Sequence, residues 1–158
     1  MTACDAALTY TTLQHDEPPM PINSEWVNPQ KSLIFAKLEG KVSSQEVLAY
    51  DEQIRAMLAE VTHPVDLIMD YSRQVYFDAE YAETAQKLKA FERANLRLVV
   101  WVQGEIAWAL FEAFSREYGG YPFQAVYAAT LEEAHEYVRI VSTGGKLNRR
   151  RPPDSQWN

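Results

Sequence analysis

The chain has 158 residues, 47% of them hydrophobic and 23% charged, a balance that suits one soluble domain with a single core. Its net charge of −7 argues against general nucleic-acid binding, which needs a basic surface to meet phosphate, and no apolar run approaches the roughly 18 residues of a membrane span. A single cysteine, Cys4, excludes an internal disulfide and a cysteine-based metal centre.

Residues 1–20 read as an arm, weakly patterned, with one short strand at LTYTTL (8–13) and an end at EPPMP. The arm has neither the cationic region nor the apolar block of a secretory signal, so a cytoplasmic protein is expected. PINSEWV and SLIFAKL then flank VNPQK, and two extended runs around a short polar turn predict a β-hairpin, closed by Gly40. Ser43 or Ser44 can cap the helix that follows, and Val47, Leu48, Ile54, Met57, Leu58 and Val61 recur at helical spacing along it. Pro64 ends that helix.

VDLIM is continuously apolar, as expected for a strand covered on both faces. A second helix is expected over 79–94, with Tyr81, Ala85, Leu88 and Phe91 on one stripe. LRLVVWV is the clearest strand of the chain, and Gln103-Gly104 turns it into the helix EIAWALFEAFSREY, closed by Gly119-Gly120. FQAVYA is the last strand; Thr130 with Glu133 matches a capping box and opens the final helix, LEEAHEYVRIV. The order β-hairpin, α, β, α, β, α, β, α implies a layered α/β fold with right-handed parallel crossovers. The closing segment 146–158 holds four basic residues and one acid, so it carries +3 and leaves −10 on the rest; with Pro152 and Pro153 it reads as a disordered tail.

Sites of familiar chemistry are not supported. His15, His63 and His135 have no ligand spacing, and the acids beside His135 suit a solvated helix face, so no metal is expected. Neither glycine pattern for phosphate is present, and there is no GxSxG elbow. No cofactor and no enzymatic activity are therefore expected. In EIAWALFEAFSREY, if Ile106, Leu110, Ala113 and Phe114 face the sheet, Trp108 and Phe111 point partly elsewhere. They form either a contact patch or a surface buried by the chain's own ends. In VDLIMDYSRQVYFDAEY, Asp70 and Ser72 lie at the carboxyl end of a strand, where open α/β sheets bind ligands and partners. Asp78 suits the cap of the helix after it.

That stretch, with the element order around it, resembles the STAS domain of anti-sigma-factor antagonists, where a core strand ends D-L-S and D-S-S-G opens a helix. LEGKV (38–42) and TLEEAHEYV (130–138) look like its divergent SpoIIAA-like branch. Asp70-Tyr71-Ser72 corresponds to D-L-S and Asp78 to the aspartate of D-S-S-G, but Ala79 and Glu80 replace the serines and Tyr81 the glycine. The usual phosphorylated serine is therefore missing, and Glu80 puts a fixed negative charge there.

The resemblance implies an α/β, STAS/SpoIIAA-like fold with a mixed four- to five-stranded sheet and about four helices mainly on one face. The expected organisation is an arm at 1–20, a STAS-like domain at 21–143 and a basic, disordered tail at 144–158. The resemblance also implies a non-catalytic regulatory module that docks a protein partner, or itself as a homodimer, without the usual phosphoserine switch. The alternative is a binding protein for a small apolar or lipid-like ligand near Trp101, Trp108 and Phe111. The candidate binding residues are Asp70, Ser72, Tyr76, Asp78, Tyr81, Trp108 and Phe111, with no nucleic acid and no membrane insertion among the expected partners.

Overall fold

The computed structural model describes residues 22–73, 75–117 and 123–147. The arm and most of the basic tail lie outside the described residues, and with them the strand expected at 8–13. The described residues open with strands β1 (Ile22–Trp26) and β2 (Leu33–Leu38), paired antiparallel from Ile22↔Leu38 to Trp26↔Ile34. Their turn is held by Asn28, which accepts from the Ser32 N–H at 3.0 Å and donates to its hydroxyl at 2.7 Å. This is the hairpin expected from the two extended runs.

Helix α1 (Ser44–Ala59) begins at Ser43, whose hydroxyl accepts from the Glu46 N–H while the Glu46 carboxylate accepts from the Ser43 N–H. Strand β4 (Val65–Asp70), strand β6 (Leu96–Val102), helix α3 (Glu105–Glu117), strand β7 (Gln124–Ala128) and helix α4 (Leu131–Ser142) follow the predicted order. The Thr130 hydroxyl caps α4 by accepting from the Glu133 N–H; the Glu133 carboxylate reaches one residue further back than a standard box, to the Ala129 N–H. After β6 the chain turns through Gln103 and Gly104, both at positive φ, and a Cβ on Gly104 would come within 3.3 Å of the Tyr71 carbonyl oxygen.

The main sheet has five strands in the order β1-β2-β4-β6-β7, antiparallel at β1–β2 and parallel elsewhere. Alternation along each strand divides the interior in two. Val65, Leu67 and Met69 of β4 and Val99 and Trp101 of β6 face α1 and α3, whereas Ile68, Leu98, Val100 and Val102 face α4. The even positions of β4 also include Asp66, which is 1% exposed and tolerated because Arg97 binds both its oxygens, at 2.9 and 2.7 Å.

Three expectations need correction. A second, two-stranded parallel ribbon lies beyond the main sheet: β3 (Gly40–Val42) with β5 (Val75–Phe77), so Gly40 starts a strand where the chain was expected to stop one. The helix expected over 79–94 is reduced to α2 (Tyr81–Ala85) and a single 3-10 turn at Ala90–Glu92. The Asp51 carboxylate of α1 is the cause: one of its oxygens takes the Lys89 and Ala90 N–H groups at 2.9 and 2.8 Å, donors that a continuous helix would bond to carbonyls four residues back. The predicted stripe survives the break, since Tyr81, Leu88 and Phe91 all pack against the core. The third correction concerns α3. Ala107 and Phe111 (8% exposed) are buried, Trp108, Ile106 and Leu110 pack against the same core, and Ala113 is exposed. Trp108 and Phe111 therefore form no exposed patch. The Phe114 side chain is outside the described set.

Candidate functional site: the corner beyond strand β4

Strand β4 ends at Asp70, where the main sheet stops and the ribbon begins. Asp70 is buried, and its carboxylate accepts from the Ser72 N–H at 2.9 Å, closing a local turn. Tyr71 is buried too, its N–H donating to the Val102 carbonyl. Ser72 and Arg73 emerge into solvent before β5 re-enters the fold with Val75 inward and Tyr76 outward. Tyr76 is 52% exposed, the highest value among the exposed large hydrophobic residues described.

Asp78 acts at two helix starts, that of the helix after it and, unforeseen from the sequence, that of α1. Its two oxygens accept from the Ser44 N–H at 2.8 Å and the Ser44 hydroxyl at 2.6 Å. One of them also takes the Glu80 N–H at 3.1 Å. The N-cap of α2 is Glu80, which makes no side-chain cap bond. The Ser44 hydroxyl and then the Ser44 N–H hold the Asp78 carboxyl below the usual carboxylate range, slight desolvation opposes them, and the Glu80 N–H adds to the lowering.

Two concavities meet here. An open groove of about 400 Å³ is lined by Lys41, Val42, Ser43, Glu46, Tyr76, Phe77 and Asp78. Behind it lies a cavity of about 20 Å³, enough for one water. Its wall is apolar except for the phenols of Tyr50, Tyr71 and Tyr81. Phe77 belongs to both, and its ring stacks on Tyr81 with centroids 4.0 Å apart. Burial pushes the Tyr81 phenol up to about 12 and raises those of Tyr71 and Tyr50 as well. All three stay protonated at neutral pH. The Tyr50 hydroxyl is buried with no hydrogen-bond partner among the described residues.

Of the seven residues singled out from sequence, Tyr76 and Asp78 share the groove and Tyr81 lies just behind it. Asp70 and Ser72 shape the loop that leads in. Trp108 and Phe111 meet with tilted rings 5.4 Å apart beneath α3, with Trp108 edge-on to Tyr127, and line neither concavity. Lys41, Val42, Ser44 and Glu46 were missed as site residues: nothing in GKVSSQE signals that its neighbours in space are 34 residues away. Among the described residues no group of three His, Cys, Asp or Glu side chains could hold a metal ion, and no helix is long and apolar enough to cross a membrane.

No family model matches the chain, and no curated protein matches it. Solved structures do. An uncharacterised protein of the DUF3478 family with a SpoIIAA-like fold, from Shewanella loihica, matches with a TM-score of 0.53 and 16% identity, over 73% of this chain and 90% of that one. The Bacillus cell-fate determinant SpoIIAA in its phosphorylated form matches with a TM-score of 0.50 and 18% identity, over 75% and 99%. The anti-sigma factor antagonist SpoIIAA in its unphosphorylated form matches with 0.50 and 19%, over 80% and 99%. At these identities the likeness is one of fold, and the fold of this chain is SpoIIAA-like.

Proposed function

We propose that the chain is a non-catalytic interaction module that docks a protein partner, or a second copy of itself, through the corner from Ser72 to Tyr81. The observation that carries this reading is the open groove of about 400 Å³ with Tyr76 projecting at its edge. An exposed aromatic beside a groove is the form a docking anchor takes. The likeness to an anti-sigma factor antagonist supports the same class of function. Among the described residues, the cavity behind the groove supports docking over a lipid carrier at this corner, because its volume of about 20 Å³ is far below the few hundred Å³ of an ordinary ligand pocket. Ala79 and Glu80, standing where the antagonist pattern has serines, support a module without that phosphoserine switch.

The test is a photo-crosslinking residue placed at position 76 in cells that make the protein, with a second chain carrying it at His135 on α4 as a control. One discrete crosslinked product at 76 and none at 135 is the expected result, its mass distinguishing a partner from a second copy. Equal labelling at both positions, or none at 76, would refute docking at this corner.

A further inference from the structure

Resting on the docking reading, we infer that the groove beside Tyr76 takes a basic segment of another protein, and that charge bars a second copy of this chain from it. The apolar part of the groove is fixed in place. Val42 of β3 and Val75 of β5 are buried in the main core and hold the ribbon down. Lys41 and Tyr76 stand directly across from each other in the parallel register, and both are exposed. Val42, Phe77 and the Tyr76 ring therefore offer an apolar surface with charges around it, the centre-and-rim arrangement of a protein interface.

That rim is one-sided. Glu46 and Asp78 line the groove, and Glu80 and Glu83 follow at the start of α2, spaced to be neighbours on the helix surface. Among the described residues that line the groove, Lys41 is the one cation, so four carboxylates against one ammonium leave −3. Glu39 and Arg73 precede β3 and β5 at the other end of the ribbon, where their charges cancel. Glu46 and Asp78 are tied to backbone N–H groups at the start of α1. Glu80 and Glu83 are exposed, and among the described residues their carboxylates have neither a hydrogen-bond nor an ion-pair partner.

A two-fold dimer would lay this patch on its own copy, carboxylates facing carboxylates, between chains that each carry −7. A partner segment bearing Lys or Arg meets the opposite situation. Its cations find Glu80 and Glu83, and an apolar side chain beside them finds Val42, Phe77 and Tyr76. Lys41 sets the direction, because the basic end must lie toward α2 and away from β3.

The test adds charge variants to the chain that carries the photo-crosslinking residue at position 76, under brief irradiation. Lys41→Glu should raise the yield of the partner product about threefold or more, and Glu80→Lys with Glu83→Lys should lower it about as much. The shifts are opposite in sign, so loss of fold cannot produce both. Sequencing of the crosslinked peptide should find Lys or Arg close to the linked residue. Yields that move the other way, or not at all, overturn the inference and leave docking in place with a partner of different charge. A discrete product made of two copies of this chain, or a link within one copy, overturns it as well. No discrete product at 76 removes docking itself.

Discussion

Asp78 and Ser44 are joined by two hydrogen bonds, at 2.8 and 2.6 Å, across 34 residues of sequence. The bonds tie the loop after β5 to the first turn of α1, and two more clamps repeat the pattern along that helix. Asp51 in its middle holds the Lys89 and Ala90 N–H groups. At its far end the Asn95 amide donates to the Leu58 and Val61 carbonyls at 2.9 and 3.1 Å. Each clamp satisfies backbone groups that a helix end or an irregular segment leaves open.

Asp78→Asn should lower thermal stability at neutral pH, and the deficit should shrink in acid. The folded carboxyl is held below its ordinary value, so its contribution is complete above about 3.9, the unfolded value, and is lost as pH falls through the folded one. Denaturation curves from pH 7 to pH 2 would show wild type and variant converging at the acid end. Parallel curves would mean that the charge of Asp78 has no part in the clamp.

Asp51→Ala should be more damaging. The residue is 3% exposed and its side chain serves two backbone donors, with Arg55 at 3.1 Å on its other oxygen. Leaving those donors without it should cost about 2–3 kcal/mol, and the Lys89 and Ala90 amides should lose hydrogen-exchange protection first. A variant in which α2 simply extends through 89–90 would keep that protection and show that the clamp is dispensable.

Most of the fold was legible in the sequence, and the exceptions share a cause. VDLIM and LRLVVWV are strands because their local composition leaves little choice. Ser43 and Thr130 cap because their partners are three residues away. The break in the helix expected at 79–94 comes from Asp51, 38 residues away, and no local pattern can carry it. The same holds for Asp78, whose place before α2 was readable but whose tie to Ser44 of α1 was not. The β3–β5 ribbon escaped notice because three-residue strands show too little alternation to register. Tyr76 and Asp78 lie in the stretch that the loop and capping rules singled out and share one groove, while Trp108 and Phe111 were expected to point partly away from the core and do not, because a crowded helix can bury more faces than one stripe allows.

Tyr50→Phe should raise stability by about 1 kcal/mol, since it removes a buried hydroxyl without a partner and keeps the ring. Chemical denaturation at neutral pH measures it directly. A loss of stability would show that the hydroxyl is bonded after all.

Ser72→Ala and Ser72→Glu should behave alike, each within about 0.5 kcal/mol of wild type, because the exposed side chain holds nothing in place. Both should leave the crosslinking yield at position 76 unchanged. A drop confined to the glutamate variant would reveal charge control at this loop.

The three clamps also act as a ruler with unequal divisions. From Ser44 to Asp51, α1 advances about 10 Å, and the facing chain uses the eleven residues from Asp78 to Lys89 to cover that span. From Asp51 onward a similar or longer span is bridged by only five steps, Ala90 to Asn95. Spare length is therefore stored entirely on the groove side of Asp51. A lineage of such chains could gain or lose residues around 82–87 and remodel the corner freely, while a single deletion between 90 and 95 would pull the last clamp out of reach.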